Sequence, residues 1–155
     1  MFLAQPKSEI YVLAKEKSVE RDVSSLKGIK ILVAEDNHFN QIVVNDTLEM
    51  LIEGVQVEMA ENGLIAVEMY KKNDYDVILM DVNMPEMDGH DATKNIRVSS
   101  KDKKKYIPII ALTASVLKSE VDKCMSSGMD GFVPKPFSNE ELLEALIKHN
   151  AKGNT

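Results

Sequence analysis

From Ile29 onward the chain alternates short apolar runs with longer stretches of helical spacing, and no other feature restricts the possible folds as much. The runs are Ile29–Ala34 (IKILVA), Val55–Ala60 (VQVEMA), Asp76–Met80 (DVILM), Ile107–Leu112 (IPIIAL) and Gly131–Pro134 (GFVP). Three of them are close to uniformly apolar, which is how a strand covered on both faces reads. Between the runs, Val44, Leu48, Leu51 and Ile52 fall at i, i+4, i+7 and i+8, and Leu117, Val121, Cys124 and Met125 repeat that spacing. Ile65, Ala66, Met69 and Tyr70 make a similar stripe. The last stretch opens on Ser138-Asn139-Glu140-Glu141, a capping-box pattern, ahead of Leu142, Leu143, Leu146 and Ile147. Gly128 is placed to stop the preceding helix, and Pro108 sits near the start of its run, where a missing N–H is tolerated. The stretch Gly89–Ser99 has the thinnest apolar face, Ala92, Ile96 and Val98. Five strands alternating with five helices predict an α/β sandwich with a parallel sheet and right-handed crossovers.

Composition narrows the function classes. At 155 residues the chain has room for one ordinary domain of about 100–150 residues. The single cysteine, Cys124, excludes an intrachain disulfide and a cysteine-based zinc site. A net charge of -6 argues against a nucleic-acid binder, whose phosphate contacts need clustered Lys and Arg. No apolar run approaches the roughly 18 residues of a membrane span, and Met1–Pro6 has neither the basic nor the continuous apolar region of a signal peptide. A cytoplasmic domain without membrane contact is the expectation. Residues 1–28 break the rhythm and are assigned as an N-terminal linker or extension; residues 29–150 form the domain and 151–155 a polar tail.

In an open parallel sheet, ligands bind beyond the carboxyl ends of the strands. After IKILVA come Glu35 and Asp36, after DVILM comes Asp81, after IPIIAL comes Thr113, and after GFVP comes Lys135. The remaining run ends in Glu61-Asn62-Gly63, which reads as a turn. Three carboxylates, a hydroxyl and an ammonium are therefore expected at one edge. Clustered carboxylates repel, so their pKa values rise or a cation joins them. A hard divalent ion suits the oxygen ligands, and Mg²⁺ keeps room for water and phosphate oxygens. With the metal and Lys135 the formal charges cancel, which sets the site to receive a phosphoryl group. Asp81, alone at the end of the middle run, is the expected nucleophile, giving an aspartyl-phosphate.

These residues resemble the receiver domain of two-component signalling, the module of response regulators and hybrid histidine kinases. The resemblance runs from about Ile29 to Asn150. It is carried by Glu35-Asp36, by Asp81 in DVNMPEMDG (81–89), by Thr113 in ALTA (111–114) and by Lys135 in PKPF (134–137). It implies the (βα)5 flavodoxin-like fold with strand order 2-1-3-4-5 and a cis Lys135–Pro136 bond. It further implies that Asp81 accepts a phosphoryl group from a phosphohistidine. Mg²⁺ (or Mn²⁺) is then held by Glu35, Asp36, Asp81 and the backbone carbonyl of Asn83, while Lys135 pairs with phosphate oxygens. Thr113 moves to bond the phosphoryl group and Phe132 follows it inward as the switch aromatic. The implied partner is a histidine kinase or histidine phosphotransfer domain, and the implied output face is the fourth helix, fifth strand and fifth helix, through which a homodimer can form.

The wording of DVNMPEMDG and ALTA resembles hybrid-kinase receivers, so residues 1–28 are expected to link to an upstream kinase core; a stand-alone single-domain response regulator is the alternative. No DNA-binding or cyclase output domain is expected after Asn150. The module is expected to act on its own aspartate rather than as an enzyme turning over a separate substrate. An aspartyl-phosphate phosphatase is a remote alternative, because the position where those enzymes place a second Asp is Asn83, which cannot act as a general acid. Cofactor binding of the flavodoxin type is disfavoured because Glu35-Asp36-Asn37-His38 would repel a flavin phosphate. Cys124 reads as core. His38, His90 and His149 are scattered, with His38 near the rim of the site. Lys101–Lys105 reads as a solvated loop at the opposite end of the sheet.

Overall fold

A computed structural model of the chain describes residues 23–103 and 105–150. Expectations for residues 1–22 and 151–155 lie outside the described residues. The apolar runs become β1 (Lys30–Ala34), β2 (Gln56–Ala60), β3 (Val77–Asp81), β4 (Ile109–Thr113) and β5 (Gly131–Pro134). The helices are α1 (His38–Leu51), α2 (Gly63–Lys72), α3 (Gly89–Ser99), α4 (Lys118–Ser127) and α5 (Asn139–His149). All four strand pairings are parallel, and the spatial order is β2-β1-β3-β4-β5. The expected fold class and strand order are therefore present, and the Lys135–Pro136 bond is cis.

Alternation along the inner strands builds two cores. Leu32, Ala34, Ile78 and Met80 face α2, α3 and α4, while Ile31, Val33, Val77 and Leu79 face α1 and α5. β3 and β4 are buried at every position, which accounts for their nearly unbroken apolar sequence. The second core reaches back before Ile29: Leu26 is fully buried and Val23 packs against the same cluster.

Helix signals hold in detail at both ends. Ser138 and Glu141 form the capping box, with the Ser138 hydroxyl accepting from the Glu141 N–H and the Glu141 carboxylate accepting from the Ser138 N–H. Gly128 ends α4 in the left-handed region at φ 110°. Asn62, read as part of a turn, is the N-cap of α2 and accepts from the Ile65 N–H at 2.8 Å.

Three expectations need correction. The α4 stripe is only partly a core face: Cys124 is buried, but Leu117 and Met125 are exposed. The face of α3 does not include Val98, which is exposed; His90 and Thr93 are buried there beside Ala92 and Ile96. The basic run is not simply solvated, because Lys103 donates to the backbone carbonyls of Tyr70 and Asn73 and Lys105 pairs with Asp76 at 2.9 Å. Two lysines of that run close the carboxyl end of α2 and the start of β3, where carbonyls and a carboxylate await a cation.

Candidate functional site at the carboxyl edge of the sheet

β3 and β4 each run one residue beyond the apolar segment, so Asp81 and Thr113 are the last residues of their strands. Glu35 follows β1 directly and Lys135 follows β5. The Glu35 N–H still donates to the Ala60 carbonyl at 3.0 Å, and the Lys135 N–H to the Thr113 carbonyl at 2.7 Å. The four positions are thus fixed by ladder hydrogen bonds at one edge rather than by flexible loops.

Their side chains converge. Carboxylate oxygens of Glu35, Asp36 and Asp81 lie within 4.8 Å of one another. The Lys135 ammonium stands 2.6 Å from Glu35 Oε2 and 3.2 Å from Asp81 Oδ2. Glu35 is only 1% exposed and Asp81 7%, whereas Asp36 faces solvent. Burial without compensation would be prohibitive for two carboxylates. Glu35 is compensated by several donors: Lys135, the Asn37 N–H at 3.1 Å and the Asn40 amide at 3.4 Å. Gln41 additionally donates to the Glu35 backbone carbonyl at 2.7 Å. Asp81 has fewer, Lys135 and the Asn83 N–H at 3.3 Å.

The electrostatics follow from that difference. Burial pushes the Asp81 carboxyl up to about 6, against the pull of Lys135 and with a further push from Glu35. Burial acts the same way on Glu35, but its Lys135, Asn37 and Asn40 partners together hold it below the ordinary carboxylate value. Burial would lower Lys135, yet the two carboxylates outweigh it and keep the ammonium charged.

The donor set fits a hard divalent cation. All candidate ligands are oxygens, and three carboxylates against one ammonium leave an excess of two negative charges. Glu35 already holds Lys135 and the Asn37 N–H, so the solvent-facing Asp36 and the sparsely bonded Asp81 carry the most free acceptor capacity.

The remaining expected residues sit around this cluster. The buried Thr113 hydroxyl donates to the Ser115 carbonyl at 3.0 Å and accepts from the Ser115 N–H at 3.1 Å, so it is held by its own loop. Phe132 is 39% exposed on β5, with its ring outward. Asn83 is exposed at the start of the β3–α3 loop, and His38 is exposed at the start of α1. Sequence reading passed over the supports: Asn37, Asn40 and Gln41 behind Glu35, and Ser115 behind Thr113. Asn37 was readable as a helix cap immediately after the acidic pair. Gly89 has a packing reason that no sequence pattern states: a Cβ there would lie 2.2 Å from the Asp81 carbonyl oxygen.

A parallel sheet in this order, with acids and one lysine gathered at its carboxyl edge, has the layout of a signalling receiver. The chain belongs to the response regulator receiver domain family, whose model matches residues 31–147. It is 35% identical over 147 residues to "Hybrid signal transduction histidine kinase L" of Dictyostelium discoideum, a match covering 91% of this chain and 8% of that protein. The curated relatives it matches are much longer, and the chain spans 4 to 17% of their length. Among solved structures it resembles the receiver domain of a Pseudomonas aeruginosa sensor histidine kinase, described with a magnesium ion coordinated in its active-site cleft. That match has TM-score 0.70 and 37% identity, covering 78% of this chain and 96% of the other. It also resembles a Saccharomyces cerevisiae co-crystal of the histidine phosphotransfer protein Ypd1 with the receiver domain of the response regulator Ssk1, with TM-score 0.72 and 28% identity over 79% of this chain and 88% of that one. No helix among the described residues is long and apolar enough to cross a membrane.

Proposed function

We propose that Asp81 is the phosphoacceptor of a two-component phosphorelay. The observation that carries this is the Lys135 ammonium 3.2 Å from Asp81 Oδ2, within a cluster of three carboxylates. Glu35, Asp36, Asp81 and the Asn83 backbone carbonyl would hold Mg²⁺ or Mn²⁺, which when bound supplies positive charge to the phosphoryl oxygens. An Asp81 carboxylate oxygen attacks phosphorus while the bond to the donor imidazole nitrogen breaks, and the electron pair leaves with the imidazole. With its pKa near 6, Asp81 is mostly ionised at neutral pH and so available as the nucleophile. Lys135, held by Glu35, stays charged and pairs with an incoming phosphate oxygen.

The switch is proposed at Thr113 and Phe132. To reach a phosphoryl group the Thr113 hydroxyl must give up the Ser115 carbonyl, a single neutral hydrogen bond worth about 1 kcal/mol net. A charge-assisted bond to phosphate is about twice as strong, so arrival of the charge favours the exchange. Phe132 then turns inward, altering the α4–β5–α5 face that serves as output and as a possible homodimer surface.

The donor is a phosphohistidine on a kinase or phosphotransfer domain. Its docking surface is the exposed apolar patch of α1, Phe39, Ile42 and Val43. The patch borders a groove of about 420 Å³ that runs to Glu35, Lys135 and Phe137, so a protein seated there overhangs the site. We assign residues 29–150 as the receiver, 1–28 as the linker from a kinase core, with its Val23 and Leu26 packed onto the receiver's second core, and 151–155 as a tail, in a cytoplasmic setting without nucleic-acid or membrane contact. The catalytic work is confined to the domain's own aspartate, its phosphorylation and slow hydrolysis.

The test is incubation with Mg²⁺ and a small-molecule phosphodonor, read by intact mass. The expected result is one added phosphoryl group, lost in Asp81→Asn and in excess chelator. An adduct that persists on Asp81→Asn would place the acceptor elsewhere.

A further inference from the structure

Among the described residues, His90 is an ionisable side chain whose surroundings the phosphoacceptor reading leaves without a purpose. It is the second residue of α3, only 4% exposed, and neither ring nitrogen has a hydrogen-bond partner. Buried polar atoms nearly always have partners, and two orphaned nitrogens on one ring call for a physical reason. An apolar residue of the same size would fill the space without that cost.

The charges that act on the ring come from both helices of the seam. Lys123 and Glu120 act on it from α4, Lys94 from α3 and Asp88 from the α3 N-cap. The two cations oppose an imidazolium and the two anions favour it. Asp88 is already engaged as the N-cap of α3, accepting from the Asp91 N–H at 2.8 Å. Desolvation by burial is the largest influence and lowers the ring's pKa, so the charged form is disfavoured there.

The two sides of this seam are held unequally. On the α3 side, the Gly89 N–H donates to the Val82 carbonyl at 2.9 Å and the Gly89 backbone abuts the Asp81 carbonyl. The Thr93 hydroxyl donates to the Gly89 carbonyl at 2.7 Å, closing the same turn. Five residues of α3 are buried, among them Ala92 and Ile96. α4 buries only Cys124 and Ser127, has no side-chain N-cap and leaves Leu117 in solvent. A proton on His90 needs water or a counter-charge, and the element that can yield to admit one is α4. Its first turn joins the switch loop through Ser115, whose hydroxyl accepts from the Leu117 N–H at 3.4 Å and whose backbone holds Thr113.

We propose that His90 makes the α3–α4 seam a pH-sensitive contact: protonation of the buried ring opens α4 and so biases the Thr113 loop independently of phosphorylation. The device uses the segment on which the phosphoryl switch acts but needs neither Asp81 nor a metal.

Linkage fixes the sign and size. With the folded pKa below the ordinary 6.5, the seam is fully closed above that value and is loosened as pH falls through it. One proton taken up on opening changes the opening equilibrium by at most a factor of about ten per pH unit.

The test is native-state hydrogen exchange on the unphosphorylated chain in chelator, corrected for intrinsic exchange, with NMR titration of the His90 ring. Between about pH 7.5 and about pH 5.5, amides of residues 118–127 are expected to lose about tenfold of their protection while β3 and β4 lose little. His90→Leu should abolish that loss, and His149→Asn should leave it intact. The ring should titrate below 6.5, a measurement on the wild-type chain that stands if His90→Leu does not fold. A ring that titrates at or above 6.5, or an α4 response that survives in His90→Leu, overturns the proposal. Because neither readout involves phosphate, its failure is separate from any failure of the phosphoacceptor reading.

Discussion

At the residue scale, the site places an energetic burden on the fold. Asp81 has an ordinary pKa of 3.8 and is pushed to about 6. Between those values the folded chain keeps a proton that the unfolded chain has lost. The cost of ionising Asp81 in place therefore grows as pH rises through that window and is complete above it. One pKa unit corresponds to about 1.4 kcal/mol, which bounds the cost at about 3 kcal/mol. Asp81→Asn removes the charge but also one partner of Lys135, which keeps Glu35. The expected result is a metal-free variant about 1–2 kcal/mol more stable than wild type near neutral pH, and no more stable near pH 4. Urea melts in chelator at both pH values check this; equal stability at neutral pH would mean that Asp81 is not strained. The sequence made Glu35, Asp36, Asp81 and Lys135 legible because chemistry-bearing residues interrupt apolar runs. It did not show that Glu35 and Asp81 would titrate in opposite directions, since that depends on Asn37 and Asn40 folding back over one carboxylate and not the other. Glu86 is a second strained residue, at φ 66° in the β3–α3 loop, a region that disfavours side chains with a Cβ. Glu86→Gly is expected to stabilise the chain by about 0.5–1 kcal/mol in the same melts, and a loss of stability would show that the Glu86 side chain contributes contacts of its own.

At the element scale, helices were readable where a local rule decides them and misread where tertiary packing does. The Ser138–Glu141 box is a contract between residues three apart, so its hydrogen bonds form as the pattern states. Ser138→Ala leaves the Glu141 N–H without its acceptor and should cost about 1 kcal/mol by denaturant melt, with Ser138→Asp restoring most of it. A Ser138→Ala variant as stable as wild type would mean that α5 is held by Leu142, Leu143 and Leu146 alone. The α4 stripe had the same periodicity as α1, yet Leu117 and Met125 point outward. Periodicity reports that a face is apolar, not that the protein itself covers it. In α4 the uncovered Met125 lines one groove with Phe132 of β5. His90 shows the converse, a titratable residue on the buried face of α3 that an apolar count leaves out.

At the scale of the whole molecule, alternation of runs and helices was enough for the fold because a parallel sheet must be covered on both sides. The strand order was not contained in the alternation and came with the resemblance. The consequence of this architecture is a single layer shared by two cores. Val77 and Leu79 support α1 and α5, while Ile78 and Met80, their immediate neighbours on β3, support α2, α3 and α4. Neither core can dissolve without exposing the other face of the same strand, so the domain should unfold as one unit despite its two apolar clusters. Leu146, fully buried in α5, is the place to test this. Leu146→Ala should cost about 2–5 kcal/mol, the range for a leucine removed from a packed core. If the sheet couples the faces, the slowest amides of β3 and β4 and those of α2 should lose the same free energy of protection as those of α5. Hydrogen exchange reads this directly. A loss confined to α1 and α5, with α2 and α3 untouched, would show two cores that merely share a backbone.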